Sequence, residues 1–227
     1  TFAQAIYLAL TGALPSPEAG RLLDAILVSS IDHGATPPST LAARTAASTG
    51  APLNGAVAAG VLSINRHHGG AIEDCLGLLR RVIEVADGAD SALDQAAAQI
   101  VAEARAAGRR LPGFGHRLHT ADPRAARLFA LADEAGVAGQ GVGSARAVAQ
   151  ALAAQSGRAL PVNVDGAIAA ILLDLGIAPG LANAFFIMAR VPGLVAQAYE
   201  EQARERPMRA IDPSGAVYDG PPPRALE

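Results

Sequence analysis

Apolar residues recur along the chain at the spacing of amphipathic helices. In the segment 17–32, Leu22 and Ile26 fall on one helical face, and Ser16 before Pro17 is a typical helix start. Glycine or proline closes most of the apolar stretches, and long alternating runs of β-branched residues are absent. The pattern therefore predicts about nine helices with short connections, in an all-α protein.

Caps and stops predict where individual helices begin and end. We expect Ser39 to cap a helix that stops at Gly50, and Asp122 to cap a helix with Pro123 at its first position. Residues 54–65 are rich in Ala, Val and Leu, and we expect them to be buried all round. The other predicted helices cover 2–10, 71–86, 91–107, 144–156, a segment from Asp165, and 181–205 with a bend at Val191-Pro192-Gly193.

Charge and composition exclude several classes of partner. The formal net charge is −3, and all 18 basic residues are arginine, with no basic stripe that would bind nucleic acid. No apolar run approaches 20 residues and the start does not resemble a signal peptide, so we expect no membrane partner. Arginine donates two parallel hydrogen bonds to one carboxylate or phosphate, which favours a small anionic ligand.

The single cysteine indicates the redox environment of the protein, and the first residue indicates how its N-terminus arose. Cys75 has no second cysteine in the chain with which to form a disulfide, so we expect a reducing, cytoplasmic compartment and a thiol in the core. The chain begins at Thr1 rather than Met, and we expect it to be a fragment or trimmed at the N-terminus.

Three of the five histidines adjoin glycine in predicted breaks between helices: His33-Gly34, His68-Gly69 and Gly115-His116. A ligand can approach closely beside glycine because the side chain is missing. Each histidine taken singly also fits a loop residue whose ring bonds to the backbone. The recurrence of the same arrangement favours a functional interpretation.

Other kinds of site fit the sequence less well. His116 and His119 have a metal-like spacing, but they lie in a glycine- and proline-rich loop and Cys75 is the single thiol, so we expect no metal. The nucleophile elbow Gly-x-Ser-x-Gly is missing, as are a Walker-type phosphate loop and a Gly-x-Gly-x-x-Gly turn after a strand.

Four separated segments resemble, in the same order, segments of the citrate synthase superfamily: "IDHGATPPSTLAAR" (31–44), "INRHHGGAIE" (64–73), "PGFGHRLHTADPR" (112–124) and "PVNVDGAIAAILLD" (161–174). Within it they are most similar to citryl-CoA lyases and to the lyase module of ATP-citrate lyase. The resemblance covers nearly the whole chain. It implies a large helical domain (1–70 and 178–227) with a smaller inserted helical domain (71–177), and a homodimer or larger homo-oligomer.

The resemblance also implies a reaction and a set of site residues. The family makes or breaks the carbon–carbon bond between the acetyl group of acetyl-CoA and the keto carbon of oxaloacetate, which demands a placed base and a stabilised enolate. By position, Asp165 matches the base, His68 the donor to the thioester oxygen, and His116 the group that polarises the keto oxygen. The residues that match the family's carboxylate-binding groups are His33, Arg124, Arg190 and Arg206, the last supplied by a partner subunit.

The loop residues Gly113, Phe114 and Gly115 match the family loop that binds coenzyme A, here as acyl-CoA substrate, and no metal is implied. The spacing from His116 to Arg124 is one residue shorter than in bacterial synthases. His67 and His119 match no family role, and we interpret them as polar loop residues.

Two enzymes and two other classes of protein follow as hypotheses. Gly34 after His33 and Gly166 after Asp165 favour a citryl-CoA lyase, which releases acetyl-CoA and oxaloacetate. The alternative enzyme is a citrate synthase, which also hydrolyses the thioester. A helical module that kept the fold without activity and a helical metal-binding protein are the remaining alternatives.

Overall fold

The computed structural model describes residues 1–115, 122–157 and 160–210, and over these ranges the all-α prediction is confirmed. Ten α-helices and one 3₁₀ turn follow one another, and the β-pairing within these ranges is confined to isolated bridges. The helices are α1 (Phe2–Thr11), α2 (Pro17–Ser29), α3 (Pro38–Ser48), α4 (Leu53–Leu62), α5 (Ala71–Val85), α6 (Leu93–Ala106, preceded by the 3₁₀ turn Asp90–Ala92), α7 (Pro123–Glu134), α8 (Gln140–Ser156), α9 (Val164–Asp174) and α10 (Pro179–Arg204).

The predicted caps of α2 and α7 are confirmed. Ser16 Oγ accepts a hydrogen bond from Ala19 N at 3.1 Å, with Pro17 in the first turn. Asp122 Oδ1 accepts from Arg124 N at 3.0 Å at the start of α7. In both helices a short polar side chain satisfies a backbone N–H that has no partner inside the helix.

The predicted cap of α3 is wrong. The helix begins at Pro38 after Pro37, and no side chain caps it. Proline lacks the N–H that a cap would satisfy and fixes a helical φ, so it can start a helix without a polar cap. Ser39 is instead fully buried in the first turn of α3, and its hydroxyl is available for another contact.

The predicted burial of residues 54–65 on all sides is also wrong for the single chain. Only Ala56 and Gly60 are buried in α4, while the side chains of Leu53 and Leu62 are 38% and 78% exposed. One side of α4 packs against α3 and α10. The composition of α4 is apolar all round, but its outer face has no cover within the described chain.

Helix α8 begins at Gln140, four residues before the predicted start at 144. The cap that extends it comes from the far end of α9. Asp174 accepts hydrogen bonds from the backbone N–H groups of Gly139, Gly141 and Val142 at 2.7–3.0 Å. A cap from a residue so distant in sequence leaves no local signal.

Helix α10 runs without interruption from Pro179 to Arg204, through the proline at 192. Among the described helices it is the one that is long and apolar enough to cross a membrane by length and composition. It packs against α2, α3, α4 and α5. A helix in a protein core can be as long and as apolar as a membrane-spanning one. At Gly193 a Cβ atom would collide with the carbonyl oxygen of Ile31, so α10 lies directly against the loop that carries His33.

The main apolar core joins α1 and α2 to α5–α10, with Leu22, Leu76, Ile168 and Phe185 among its buried side chains. A small second cluster, Ala47, Ala56 and Ala198, lies between α3, α4 and α10. The main core includes residues on both sides of the predicted boundary at 70/71, and the division into two domains stays a prediction.

A buried ion pair fixes the segment after α10. Arg44 Nε lies 2.7 Å from Glu201 Oε2, an ion pair whose angle is poor for a hydrogen bond. Arg209 Nε donates to the other oxygen of Glu201 at 2.9 Å, and Met208 N donates to Ser48 O at 2.9 Å. The tail from 205 to 210 is therefore tied back onto α3 and α10.

Candidate active site

Five of the predicted catalytic and substrate-binding residues line one cavity of about 640 Å³: His33, His68, Arg124, Asp165 and Arg190. They come from the loop before α3, the loop before α5, and the first or middle turns of α7, α9 and α10. Ser30, Phe186 and Gly115 complete part of the wall. The fold thus brings together residues that lie up to 157 positions apart, between 33 and 190.

The remaining predicted site residues take different positions relative to this cavity. His116 lies outside the described residues, as does the rest of 116–121. Arg206 is exposed beyond the end of α10 and does not line this cavity in its own chain. Gly115 lines this cavity and, together with Phe114, a second one, whereas Gly113 lies beneath them.

A tight turn holds His68. Asn65 and His68 exchange two backbone hydrogen bonds of 2.9 and 2.8 Å. Gly69 follows with φ +83°, and a Cβ atom there would lie 2.6 Å from the ring of Phe186. Glycine is required at 69 because the chain turns with a positive φ against an aromatic ring.

The imidazole of His68 is fixed by a buried hydroxyl and an aromatic edge. Its Nε2 lies 2.7 Å from Ser39 Oγ, and its ring meets Phe186 in a T-shaped contact with centroids 5.8 Å apart. Burial lowers the pKa of His68, and the positive charges of Arg190 and His33 lower it further. The neutral imidazole is therefore favoured near neutral pH.

Arg190 is a buried cation with an open donor. The residue is 2% exposed, its Nε donates to Ser30 O at 3.0 Å, and its Cζ lies 4.6 Å from the centre of the Phe186 ring. Nη1 has no hydrogen-bond partner among the described residues. Burial lowers the pKa of Arg190, and the carboxylates of Asp32 and Asp165 oppose that shift. An anion in the cavity would satisfy both the charge and the open donor.

Asp165 lies in the first turn of α9, which Asn163 caps by accepting from Gly166 N at 3.1 Å. The positive end of the helix dipole stabilises a carboxylate at this position. Asn163 Nδ2 also donates to Gly115 O at 3.0 Å, and Asn163 N donates to Gly113 O at 3.0 Å. The start of α9 is thereby joined to the loop 113–115.

The glycine after Asp165 has a packing role. A Cβ atom at Gly166 would collide with the carbonyl oxygen of Gly113, and one at Gly113 would collide with Cys75 Sγ. The loop 112–115 therefore lies on α5 and α9 with no room for side chains at the contact. Cys75 is fully buried, as predicted, and burial raises the pKa of its thiol.

Arg124 reaches the cavity while paired with Asp122. Arg124 Nε lies 3.1 Å from Asp122 Oδ1, and Nη2 lies 3.0 Å from Oδ2. Asp122 Oδ2 also accepts from Val164 N at 3.1 Å, one residue before Asp165. Burial alone would raise the pKa of Asp122, but the hydrogen bonds and charge of Arg124 outweigh it and hold the pKa below its usual value.

A second cavity of about 810 Å³ adjoins the first at Gly115. Its wall combines apolar side chains, including Phe114 and Leu152, with three arginines. These arginines are Arg105, Arg109 and Arg110, at the end of α6 and just after it. Such a wall suits a ligand that has both an apolar arm and phosphate groups.

Over 1–115, 122–157 and 160–210, no group of three or more His, Cys, Asp or Glu is arranged to hold a metal ion. The predicted metal-like pair of His116 and His119 lies outside these ranges.

Sequence reasoning missed three contributors to the site: Ser39, Asn163 and Phe186. The contact of Ser39 with His68 joins positions 29 apart, so it depends on how α3 meets the following loop. Asn163 carried a usable signal, because Asn three positions before Gly166 at a helix start is a typical cap. Nothing local distinguishes Phe186 from other apolar residues of α10.

Comparison with known proteins agrees with this geometry. Residues 1–211 match the family model "Citrate synthase, C-terminal domain". The solved structure of citryl-CoA lyase from Hydrogenobacter thermophilus is 43% identical with a TM-score of 0.90, covering 100% of this chain and 87% of that one. Citrate synthase from Pyrobaculum aerophilum is 29% identical with a TM-score of 0.76, covering 99% and 54%.

Among curated proteins, "Putative citrate synthase 2" of Mycobacterium tuberculosis (strain ATCC 25618 / H37Rv) is 33% identical over 219 residues. The aligned region is 94% of this chain and 55% of that protein, so the chain spans about half the length of this relative. The family model covers most of the chain and the helices agree with those of solved members. The chain therefore belongs to the citrate synthase family, as its four sequence segments predicted.

Proposed function

We propose that this protein is a citryl-CoA lyase, which cleaves citryl-CoA reversibly to acetyl-CoA and oxaloacetate. The observation that supports it most is the meeting of Asp165, neutral His68 and the open donor of Arg190 around one cavity. The 43% identity to a citryl-CoA lyase over the whole chain favours this member of the family.

Cleavage requires three events at the citryl group. His116 takes the proton of the tertiary hydroxyl, and the alkoxide collapses to the keto group of oxaloacetate as the carbon–carbon bond breaks. The electron pair of that bond passes to the acetyl carbon and its thioester, which becomes an enolate. Protonated Asp165 then gives its proton to the methylene carbon and forms the methyl group of acetyl-CoA. In the reverse direction the Asp165 carboxylate removes that proton.

His68 stabilises the enolate oxygen by donating a hydrogen bond. A neutral imidazole has one N–H, so its tautomer decides whether it can donate. When the Ser39 hydroxyl donates to Nε2, across the 2.7 Å contact, the ring proton lies on Nδ1 and is not used by Ser39. In that direction of the hydrogen bond, the contact with Ser39 leaves His68 in the tautomer that the reaction needs.

The cations around the cavity hold the carboxylates of oxaloacetate. Arg190 offers Nη1, Arg124 offers the N–H groups that Asp122 leaves open, and His33 adds a third polar group. Because Arg190 is buried, its pairing with a carboxylate is strengthened by the low local dielectric.

The acyl-CoA substrate extends from this cavity into the second one past Gly115. The thioester lies at His68 and Asp165, the pantetheine arm crosses the loop 113–115, and the phosphates face Arg105, Arg109 and Arg110. Glycines at 113 and 115 let the backbone approach the arm closely. Closure of the smaller predicted domain (71–177) over this path would exclude water from the enolate.

The second candidate is a citrate synthase, favoured by the 33% identity to the mycobacterial relative. Its chemistry is the same up to citryl-CoA, and it then places a water to hydrolyse the thioester. The two activities differ in whether free coenzyme A thiol appears.

The test uses both directions of the reaction. With citryl-CoA the protein should produce oxaloacetate, measured through malate dehydrogenase and NADH. With acetyl-CoA and oxaloacetate it should release no thiol to a chromogenic disulfide, because citryl-CoA remains a thioester. Rapid, stoichiometric thiol release would establish the synthase instead, and inactivity in both assays would refute the proposal.

We also propose that two chains form the functional unit in the cytoplasm. The exposed apolar face of α4, with Leu53 and Leu62, supports a homodimer, and the tail tied down by Arg44, Glu201 and Arg209 holds Arg206 on the surface. In a dimer Arg206 would reach the oxaloacetate site of the partner. The single thiol, Cys75, supports a reducing compartment.

A further inference from the structure

We infer that Asp122 is a positioning residue. Its buried carboxylate orients Arg124, which binds the substrate, and fixes the start of α9, which carries Asp165; this rests on the proposed function. The side chain of Asp122 is 1% exposed. Its two oxygens receive four hydrogen bonds, from Arg124 N, Nε and Nη2 and from Val164 N, at 3.0–3.1 Å.

The first consequence concerns Arg124. The carboxylate of Asp122 pairs with one edge of the guanidinium, through Nε and Nη2. Of the five N–H groups of an arginine this pairing uses two and leaves three for a ligand. The pairing also fixes the plane of the guanidinium, so the side chain loses less conformational entropy when oxaloacetate binds.

The second consequence concerns Asp165. Val164 is the first residue of α9, and its N–H has no partner inside the helix. Asp122 supplies that partner and joins the start of α7 to the start of α9. Since Asp165 is the next residue, a shift of Val164 moves the proposed base relative to the carbon it must reach. Misplacement of reacting groups by small distances lowers turnover strongly.

A helix cap alone would not require this arrangement. Capping of α7 needs only the contact of the Asp122 side chain with Arg124 N, and serine is a typical cap at such a position. The variant Asp122→Ser therefore keeps the cap and removes the contacts with the Arg124 guanidinium and with Val164. Asp174 provides a matched control, because it caps α8 with three hydrogen bonds and lines neither cavity.

The experiment compares Asp122→Ser with Asp174→Ser in three measurements. Calorimetric titration should show roughly tenfold weaker oxaloacetate binding for Asp122→Ser, since a preorganised charge-assisted contact is lost. Turnover of citryl-CoA should fall as well, by roughly tenfold or more. Asp174→Ser should lower only the unfolding temperature. Oxaloacetate affinity and kcat that match the Asp174→Ser control would overturn the inference.

A double variant shows whether Asp122 affects oxaloacetate binding through Arg124. In an Arg124→Ala background, adding Asp122→Ser should weaken oxaloacetate binding no further, while kcat should still fall through Val164. A further loss of affinity equal to that of the single variant would show that Asp122 does not act through Arg124.

The inference can fail independently of the proposed function. In the nuclear magnetic resonance spectrum of the free protein, the Nε–H proton of Arg124 should exchange slowly in the wild type and in Asp174→Ser, and rapidly in Asp122→Ser. Inactivity of the wild type with citryl-CoA would refute the lyase and leave this comparison valid. Equal exchange in all three proteins would refute the positioning role, whatever the activity.

Discussion

At the residue scale, the proposed function gives proton transfer and carboxylate binding to different side chains. In that proposal Asp165, at the start of α9, transfers the proton, whereas Arg190, whose Nη1 has no partner among the described residues, binds a carboxylate of the substrate. The two residues line the same cavity, yet their removal should have different effects.

Asp165→Asn should lower turnover of citryl-CoA by roughly 10²–10⁴-fold while oxaloacetate still binds, because a positioned proton donor is lost. Arg190→Ala should instead weaken oxaloacetate binding directly. Steady-state kinetics and calorimetric titration separate the two outcomes. Asp94→Asn, at an exposed helix start on α6, is the control that should change neither. Equal loss of binding in both site variants would refute the assignment.

His68 should make stability depend on pH in a defined direction. The pKa of His68 is lower in the folded than in the unfolded chain, chiefly because of burial. Between the two pKa values the unfolded chain therefore binds a proton at His68 and the folded chain does not. Its contribution to stability is complete above the unfolded pKa of about 6.5 and declines as the pH falls below it. Thermal unfolding at pH 7 and pH 5 should show a smaller difference in His68→Gln than in the wild type. An identical difference in both proteins would contradict the shift.

At the scale of elements, the helices that were predicted well are those whose ends are determined locally. Ser16 with Pro17 and Asp122 with Pro123 each carry their own cap. The start of α8 could not be predicted, because its cap, Asp174, lies more than thirty residues along the chain. Ser39 was misassigned for a related reason: its partner is the ring of His68, which only the packing of α3 against the next loop reveals.

The distant cap of α8 can be tested by stability alone. Asp174→Ala should lower the free energy of unfolding by about 2 kcal/mol, because three backbone N–H groups lose a charged acceptor. Denaturant titration measures the loss. Glu103→Ala, at a partly exposed position of α6 with a surface ion pair to Arg81, should change stability by less than about 0.5 kcal/mol. A similar small change in Asp174→Ala would show that α8 does not depend on this cap.

At the scale of the whole molecule, the order of four segments predicted most of the residues around the cavity, whereas the predicted contribution of Arg206 from a partner subunit stays a prediction. Five of the predicted catalytic and substrate-binding residues meet in one chain, whereas Arg206 lies on the surface beyond α10. The apolar outer face of α4 was expected to be buried and is open in the single chain. Both observations have one explanation if a second copy of the chain covers α4 and receives Arg206.

Complementation between two inactive variants tests this arrangement. Arg206→Ala and Asp165→Asn should each be nearly inactive as homodimers. After mixing and subunit exchange, one of the two sites in each mixed dimer has an intact Asp165 and an intact arginine from its partner. About a quarter of all sites should then become active, since random exchange gives half mixed dimers. Unchanged inactivity after proven exchange would show that Arg206 serves its own chain or no site.

The close packing of Cys75 under Gly113 should make its thiol a reporter for opening of the loop 113–115, which we propose binds coenzyme A. The thiol lies beneath that loop with no exposed surface, and burial raises its pKa, so a labelling reagent must wait for the loop or α5 to move away. Labelling of the folded protein should be far slower than that of a free thiol, and a bound coenzyme A analogue should slow it again. Mass spectrometry counts the single adduct, and labelling at the rate of a free thiol would contradict the close contact. Slow labelling would also keep the protein's own thiol out of the assay that distinguishes lyase from synthase.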